Sequence, residues 1–348
     1  MKAFAYEAPQ TEREVLECLS VQPDRTAVLA GGTDLVGMMK KLLVTPERLV
    51  SLKDVASLHQ IEADADGVRI GAMVTLEDVL ESSDLSAYAA LRQAIAAMAN
   101  PQMQAQGTLG GELCQRPRCW YFRSGHGLTA DMGRMVVEGD SRYHAILGNS
   151  GPAKFVSASR LAPALIALGA RARLIGPRND DETIVPLAEF FQTPGSRAAA
   201  VSELKALRDV YRENVLRPGQ IVSHISLPPI GPWQSGAYEV QHGSGPDFPL
   251  VAAAAALRLE GNRVREARLA MGQVAPVPWD AAEAAEMLLG HTVDAELAYS
   301  VGFAAVAHAT PLKDNGYKVQ LARVAVKRAI LRAAGLPTGG LDDASGPS

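Results

Sequence analysis

Two short glycine-bearing segments carry most of the chemistry that this sequence declares. The first is Leu29-Ala30-Gly31-Gly32-Thr33-Asp34-Leu35. Glycine tolerates positive φ and lets backbone approach a ligand closely. Between a strand and a helix, such a turn aims several N–H groups at one concave face, beside the positive end of the helix. An anion suits that face, and a diphosphate is its natural guest. Each N–H bonded to a charged oxygen contributes roughly 1.5–3 kcal/mol. The pattern is neither a Walker loop nor the G-x-G-x-x-G fingerprint, and alone it reads equally well as a plain tight turn. The second segment is Gly107-Thr108-Leu109-Gly110-Gly111-Glu112-Leu113, which reads as irregular chain after a helix. Two such turns in one domain can hold the two phosphates of one dinucleotide. Glu112 must then point away or be paired, because a carboxylate repels a diphosphate.

Cysteine chemistry is the other possibility. Cys18, Cys114 and Cys119 are too few for a disulfide framework, and a reducing compartment is the simpler reading. Cys114 and Cys119 share a loop with His126 and His144. A Cys₂His₂ zinc site is one reading; buried or partly exposed thiols are the plainer one. The histidines form no Ser/His/Asp pattern, and nothing suggests a hydrolase.

The elements around these segments are legible from local signals. Thr11 to Leu19 has helical spacing, and Thr26 to Ala30 is a short apolar run broken by Gly31-Gly32. A helix is expected over Asp34 to Leu43, with Leu35, Met38, Met39 and Leu42 on one face, and a strand from Leu49. Gly67 to Ala72 reads as a strand, with Thr75 as N-cap of the next helix. An alanine-rich helix over Tyr88 to Ala99 stops near Asn100-Pro101. Ser159 to Arg173 reads as helix leading into strand, Gly176 to Asp181 as a polar loop, and Ile221 to Leu227 as a strand. Pro228-Pro-Ile-Gly-Pro-Trp233 is the best linker, since proline restricts the chain and removes ladder donors. Beyond it, strands Leu250 to Leu259 and Arg263 to Met271 flank a Gly261-Asn262 hairpin turn. Helices are expected over Trp279 to Leu289 and Val319 to Ala334, and Gly335 to Ser348 as a disordered tail.

The bulk composition fits this picture. The chain has 348 residues, 47% hydrophobic and 21% charged, enough for two or three domains with sizeable cores. A net charge of -4 gives no support for nucleic-acid binding. No apolar run is long enough to span a bilayer, and the N-terminus lacks an apolar signal core.

Taken in order, the two glycine segments resemble those of the flavin-binding subunit of the xanthine dehydrogenase / carbon monoxide dehydrogenase / aldehyde oxidoreductase family of molybdenum hydroxylases. Ala30 to Leu35 matches its A-G-G-T-[DN]-L turn, and Thr108 to Leu113 its T-[IL]-G-G-N-L turn except at Glu112. Further similar segments are Ile70 to Thr75, Ala162 to Leu168, Gln220 to Pro228, Asp247 to Val251, Gly272 to Pro278 and Asn315 to Val319. Each is weak alone, but the ordered set is specific and covers about residues 1 to 334. Departures stand at Gln104-Ala105, at Arg160 where an Asp is common, and at Val240 to His242 where a Lys or Arg is common.

The resemblance implies an α+β fold: a two-part FAD-binding domain of the PCMH / vanillyl-alcohol-oxidase type, then a small C-terminal α+β domain. The expected boundaries are 1–228 (subdomains about 1–55 and 56–228, irregular loop 114–151), 234–334, and a tail from 335 to 348. The flavin is expected in the cleft between the two domains. The resemblance implies FAD contacts at Leu29 to Leu35, Thr108, Gly110 and Gly111, with Ile221 and Asp247 as further candidates. Ile221 also reads as a core strand residue, and Asp247 as a structural hydrogen bonder. No catalytic acid or base is expected from the chain.

In aldehyde-oxidoreductase relatives, an insertion like Cys114 to Leu147 carries extra cysteines for a [4Fe–4S] cluster. Only Cys114 and Cys119 stand here, so no iron–sulfur cluster is expected, and the loop is held by packing of Trp120, Tyr121 and Phe122. Its arginines at 116, 118, 123, 134 and 142 read as a partner-facing or solvated surface. The implied partners are a molybdopterin-binding large subunit, a [2Fe–2S] small subunit and an external electron acceptor, in a heterotrimer. The compartment would be cytoplasmic, or periplasmic by export with a signal-bearing partner. Alternatives are a flavin-poor assembly subunit of the same complex and a stand-alone flavoprotein oxidase.

Overall fold

The computed structural model describes residues 1–178, 181–194, 212–243 and 247–339. Part of the expected polar loop over Gly176 to Asp181, and the tail from residue 340, lie outside them. Among the described residues, no helix is long and apolar enough to cross a membrane.

The first unit is a small parallel sheet of order β1-β3-β2, formed by β1 (Ala5–Glu7), β2 (Thr26–Leu29) and β3 (Arg48–Ser51). Helix α1 (Glu12–Ser20) buries Val15, Leu16 and Leu19 beneath it. Thr11 caps that helix by accepting from the Glu14 amide at 3.2 Å, with Glu12 and Glu14 in the first turn, where the dipole favours acids. Helix α2 (Leu35–Lys40) is shorter than its spacing predicts. The amides of Leu42 and Leu43 turn back to the carbonyls of Met39 and Met38, closing the helix with Leu42 at φ 58°. Met38 and Met39 are buried as expected, but Leu42 is 55% exposed and leaves their face.

The second unit is an antiparallel sheet of order β4-β5-β8-β6-β7. Its strands are β4 (Ile61–Asp64), β5 (Gly67–Gly71), β6 (Arg171–Ile175), β7 (Glu182–Pro186) and β8 (Ile221–Leu227). Helices α3 (Leu76–Glu81), α4 (Ala89–Ala96), α5 (Pro101–Gln106) and α6 (Leu109–Leu113) accompany it. Thr75 and Asp78 form a reciprocal capping box on α3. The second glycine segment is not irregular chain. Thr108 caps α6, its hydroxyl accepting from the Gly111 amide at 3.2 Å, so Gly110 and Gly111 lie within a helical turn.

The C-terminal sheet has order β12-β11-β10-β9. It comprises β9 (Trp233–Val240), β10 (Val251–Glu260), β11 (Arg263–Gly272) and the two-residue β12 (Trp279–Asp280). Trp279 and Asp280, expected in a helix, instead pair with Met271 and Ala270. Pro276 and Pro278 just before them favour extended chain, and the helix starts at Ala282. Helices Ala295–Ala304 and Tyr317–Ala333 complete the domain.

The two domains share strand β10. Strand side chains alternate between faces. Ala254 and Ala256 enter the core of the antiparallel domain, whereas Val251, Ala253, Ala255 and Leu257 enter the C-terminal core. The alanine run Ala252 to Ala256 is therefore buried on both faces, and small side chains let helices from both domains approach it.

The loop 114–151 folds back on the first unit. Phe122 packs with Met38, Leu128, Ala153 and Phe155. Trp120 meets Tyr143 edge-on at 5.4 Å, and the Tyr121 hydroxyl accepts from the Asp140 amide at 2.7 Å. The aromatic triplet does hold the loop.

Candidate functional site

A cleft of about 700 Å³ runs between the parallel sheet and the antiparallel sheet. It brings together Ala30, Gly31, Gly32, Thr33, Asp34 and Leu35 with Thr108, Gly110 and Gly111, and with Ile221 at the start of β8. These are ten of the twelve residues singled out from sequence. Leu29 ends β2 and does not line the cleft, and Asp247 lines a different cavity. The cleft lies inside the first domain; its lining includes no residue beyond Val222. Arg116, Leu216, Gln220 and Val222 also line it and were not singled out for it. Arg116 stood in the flagged loop, but nothing local marks Leu216.

The two turns are pressed together by backbone contact. A β-carbon on Gly31 would sit 1.9 Å from the carbonyl oxygen of Gln106, and one on Gly110 would sit 2.7 Å from the Ala72 methyl. Gly32 has φ +73°, which glycine adopts freely. The turns differ in what their amides do. At the second, Leu109 and Gly110 donate to the carbonyls of Val74 and Ala72, and Gly111 to the Thr108 hydroxyl. At the first, the amides of Gly31, Gly32, Thr33 and Asp34 donate to no acceptor among the described residues. Half-buried amides without partners in a cleft call for an acceptor.

The Asp34 carboxylate faces away from this row of amides. It accepts from the Arg116 amide at 2.9 Å, and the Arg123 guanidinium lies 2.8 Å away as an ion pair, with Arg118 at 3.7 Å. Arg116 and Arg123 are therefore half-buried, Arg118 faces Asp34 from an exposed position, and Arg134 and Arg142 are on the surface, paired with Asp131 and Asp140. Arg116 bonds Glu213 through Nε at 2.5 Å. Burial pushes the Glu213 carboxyl up, partly offset by Arg116.

Glu112 points away from the cleft and is buried. Its Oε1 accepts from the Arg160 amide at 2.8 Å, and Gln115 bonds its other oxygen. Burial pushes its carboxyl up to about 7 despite these partners. Arg160 is 5% exposed, pairs with Glu239 at 2.5 Å and bonds the Ala97 carbonyl.

A second cavity, of about 330 Å³, lies at the domain boundary. Cys119, Trp120, His144, Asp247, Gln273 and Lys318 are among its walls. Cys119 Sγ lies 3.2 Å from His144 Nε2, whereas Cys114 lines the first cleft. Burial pushes the Cys114 thiol up to about 12 and the His144 imidazole down to about 4, so both are neutral near pH 7. No group of three His, Cys, Asp or Glu among the described residues is placed to hold a metal ion. Lys318 Nζ donates to the carbonyls of His144 and Gln273, and Asn315 Nδ2 to those of His144 and Ala145. The Asn315 to Val319 motif thus ties the loop to the C-terminal domain.

Comparison with known proteins identifies the family. Residues 2–230 match the FAD binding domain in molybdopterin dehydrogenase, and residues 236–333 the CO dehydrogenase flavoprotein C-terminal domain. The FAD-binding subunit of an aldehyde oxidoreductase of Escherichia coli is 33% identical over 330 residues, 93% of this chain and 96% of that protein. The carbon monoxide dehydrogenase medium chain of Afipia carboxidovorans is 26% identical over 95% of this chain and 96% of its own length. A solved carbon monoxide dehydrogenase structure from Hydrogenophaga pseudoflava superposes with a TM-score of 0.73 at 24% identity, covering 96% of this chain and 98% of that one, and supports the fold. This chain belongs to the family of FAD-binding subunits of molybdopterin dehydrogenases and is an oxidoreductase subunit of the molybdenum hydroxylase class.

Proposed function

We propose that the chain relays electrons from [2Fe–2S] clusters of a small partner subunit, through FAD in the cleft beside Gly31, to an external acceptor. The substrate is oxidised on a separate molybdopterin-binding subunit. The observation that carries this reading is the row of amides from Gly31 to Asp34, without partners among the described residues, held against a second glycine turn in a dinucleotide-sized cleft. Donors in that arrangement suit the diphosphate of FAD, each contributing roughly 1.5–3 kcal/mol. Bound FAD supplies the exchange between single electrons and electron pairs.

The chain's own residues bind and orient. Gly31 to Asp34 hold the diphosphate; Thr108, Gly110 and Gly111 form the facing wall, their amides committed to protein partners. Ile221, Val222 and Leu216 give apolar surface that excludes water from the bound dinucleotide. The working division is a FAD-binding domain over 1–228, with subdomains meeting near residue 55, and a C-terminal domain over 234–334.

The test is an absorption spectrum of the purified chain with metal analysis on the same sample. The expected result is flavin bands near one FAD per chain, released on denaturation, without stoichiometric iron. A protein that stays colourless with added FAD and with its partner subunits overturns the flavoprotein reading.

A further inference from the structure

We propose that Arg116 is an exchangeable cation for the cleft: paired with Glu213 in this structure, its guanidinium passes to the phosphate oxygens of a dinucleotide seated on Gly31 to Asp34. This rests on the FAD reading and adds to it a residue from the inserted loop.

Three observations support the exchange. First, the Arg116 backbone is fixed beside the first turn, its amide donating to Asp34 Oδ2 at 2.9 Å. Arg116 lines the cleft, and its side chain bonds Glu213 Oε1 through Nε, whereas Glu213 lies behind the cleft wall. Second, Arg116 is the cation at the glycine end among the described residues that line the cleft. The other lining cation, Arg25, bonds both oxygens of Glu47, at 2.8 and 3.0 Å, at the opposite end of β2. With about 3.3 Å per extended residue, that end is some 15–20 Å away. Third, Asp34 does not depend on the Arg116 side chain, because Arg123 and Arg118 already face it. The Arg116 guanidinium can therefore leave Glu213 without stranding Asp34. A fork of guanidinium donors matches phosphate oxygens well.

The exchange makes Glu213 a competitor of the ligand, so the two partners must respond in opposite directions. The experiment is titration of the purified full chain, stripped of nucleotide, with ADP as the diphosphate probe and adenosine as the uncharged control. For Arg116→Gln, ADP affinity should fall about 10- to 100-fold with adenosine binding unchanged, the range of one charge-assisted hydrogen bond. For Glu213→Gln, ADP should bind several-fold tighter. Retained adenosine binding shows that each variant is folded. If Arg116→Gln leaves Glu213 unpaired and fails to fold, the double variant Arg116→Gln/Glu213→Gln takes its place, with the same loss expected. Equal ADP affinity of wild type and the Arg116 variants, or weaker binding by Glu213→Gln, overturns the proposal and leaves the FAD reading standing. A wild-type chain that binds adenosine, ADP and FAD undetectably sinks both.

Discussion

Gly31 and Gln106 touch backbone to backbone: a β-carbon on Gly31 would lie 1.9 Å from the Gln106 carbonyl oxygen. Gln106 Nε2 also donates to the Gly31 carbonyl at 3.1 Å. The contact joins the parallel sheet to the helical layer of the antiparallel unit, and it fixes the width of the cleft between them. Glycine at 31 is thus required by packing.

Gly31→Ala should push the two turns apart. The expected cost is about 1–3 kcal/mol of stability, typical of an overpacked contact, together with weakened FAD binding. Gly37→Ala is the matched control. A β-carbon there meets nothing within 4 Å, and Gly37 lies inside α2. Alanine at 37 should be neutral or stabilise by roughly 0.5–1 kcal/mol. Urea unfolding and FAD titration of both variants check this; equal behaviour of the two would show that the 31–106 contact does not set the cleft.

Glu112 should make stability fall as pH rises. Burial raises its folded-state value to about 7, from an ordinary carboxyl value of 4.5. Between those values the folded state binds more protons than the unfolded one, so ∂ΔG/∂pH is negative. The loss develops from about pH 4.5 to about pH 7 and is then complete. Glu112→Gln should be close to wild type at pH 5 and more stable at pH 8. Chemical denaturation at the two pH values decides it: a gap that does not grow with pH would mean that the carboxylate is stabilised where it sits.

Local signals and tertiary contacts divide what was legible in the sequence. Strand Ile221–Leu227, the Gly261-Asn262 hairpin and the Thr75 cap read correctly because alternation, turn chemistry and capping act within a few residues. The gathering of Arg116, Arg118 and Arg123 around Asp34 had no such signal, since Asp34 is 82 residues from Arg116. Likewise Glu112 finds Arg160 at a separation of 48 residues. The glycine segments were legible as a pair, but not their difference. Which amides are free depends on Ala72 and Val74, carbonyls that reach α6 only through the fold. Asp247 fell to the second cavity, which it lines with His242 and Phe248, away from the first cleft.

The pair Arg160–Glu239 should be costly to break and cheap to replace. Both side chains are almost fully buried, at 5% and 3% exposure. Arg160→Met leaves Glu239 with Gln241 as its remaining partner and should cost about 3–5 kcal/mol. Arg160→Met with Glu239→Leu removes both charges and should recover most of that loss. A double-mutant cycle by urea unfolding measures it. An additive double variant would show that the two charges do not stabilise each other.

Lys318 should act in the opposite sense to Glu112, and in a different pH window. The residue is 1% exposed, and burial pulls its ammonium down to about 7 from 10.5. Above pH 7 the folded state sheds a proton that the unfolded state keeps up to about 10.5, so stability rises with pH across that interval. Both forms of the amine can still donate to the carbonyls of His144 and Gln273, so deprotonation relieves desolvation without opening the joint. Lys318→Met removes the titration and both hydrogen bonds. It should flatten the rise between pH 7 and 10 and lower stability at pH 10 by roughly 1–3 kcal/mol, the cost of stranding the buried Gln273 carbonyl, since Asn315 still donates to that of His144. Melting the variant and the wild type across that range separates the two effects. A wild-type slope that survives in Lys318→Met would place the titrating group elsewhere, and an unchanged stability at pH 10 would show that the Gln273 carbonyl finds another donor.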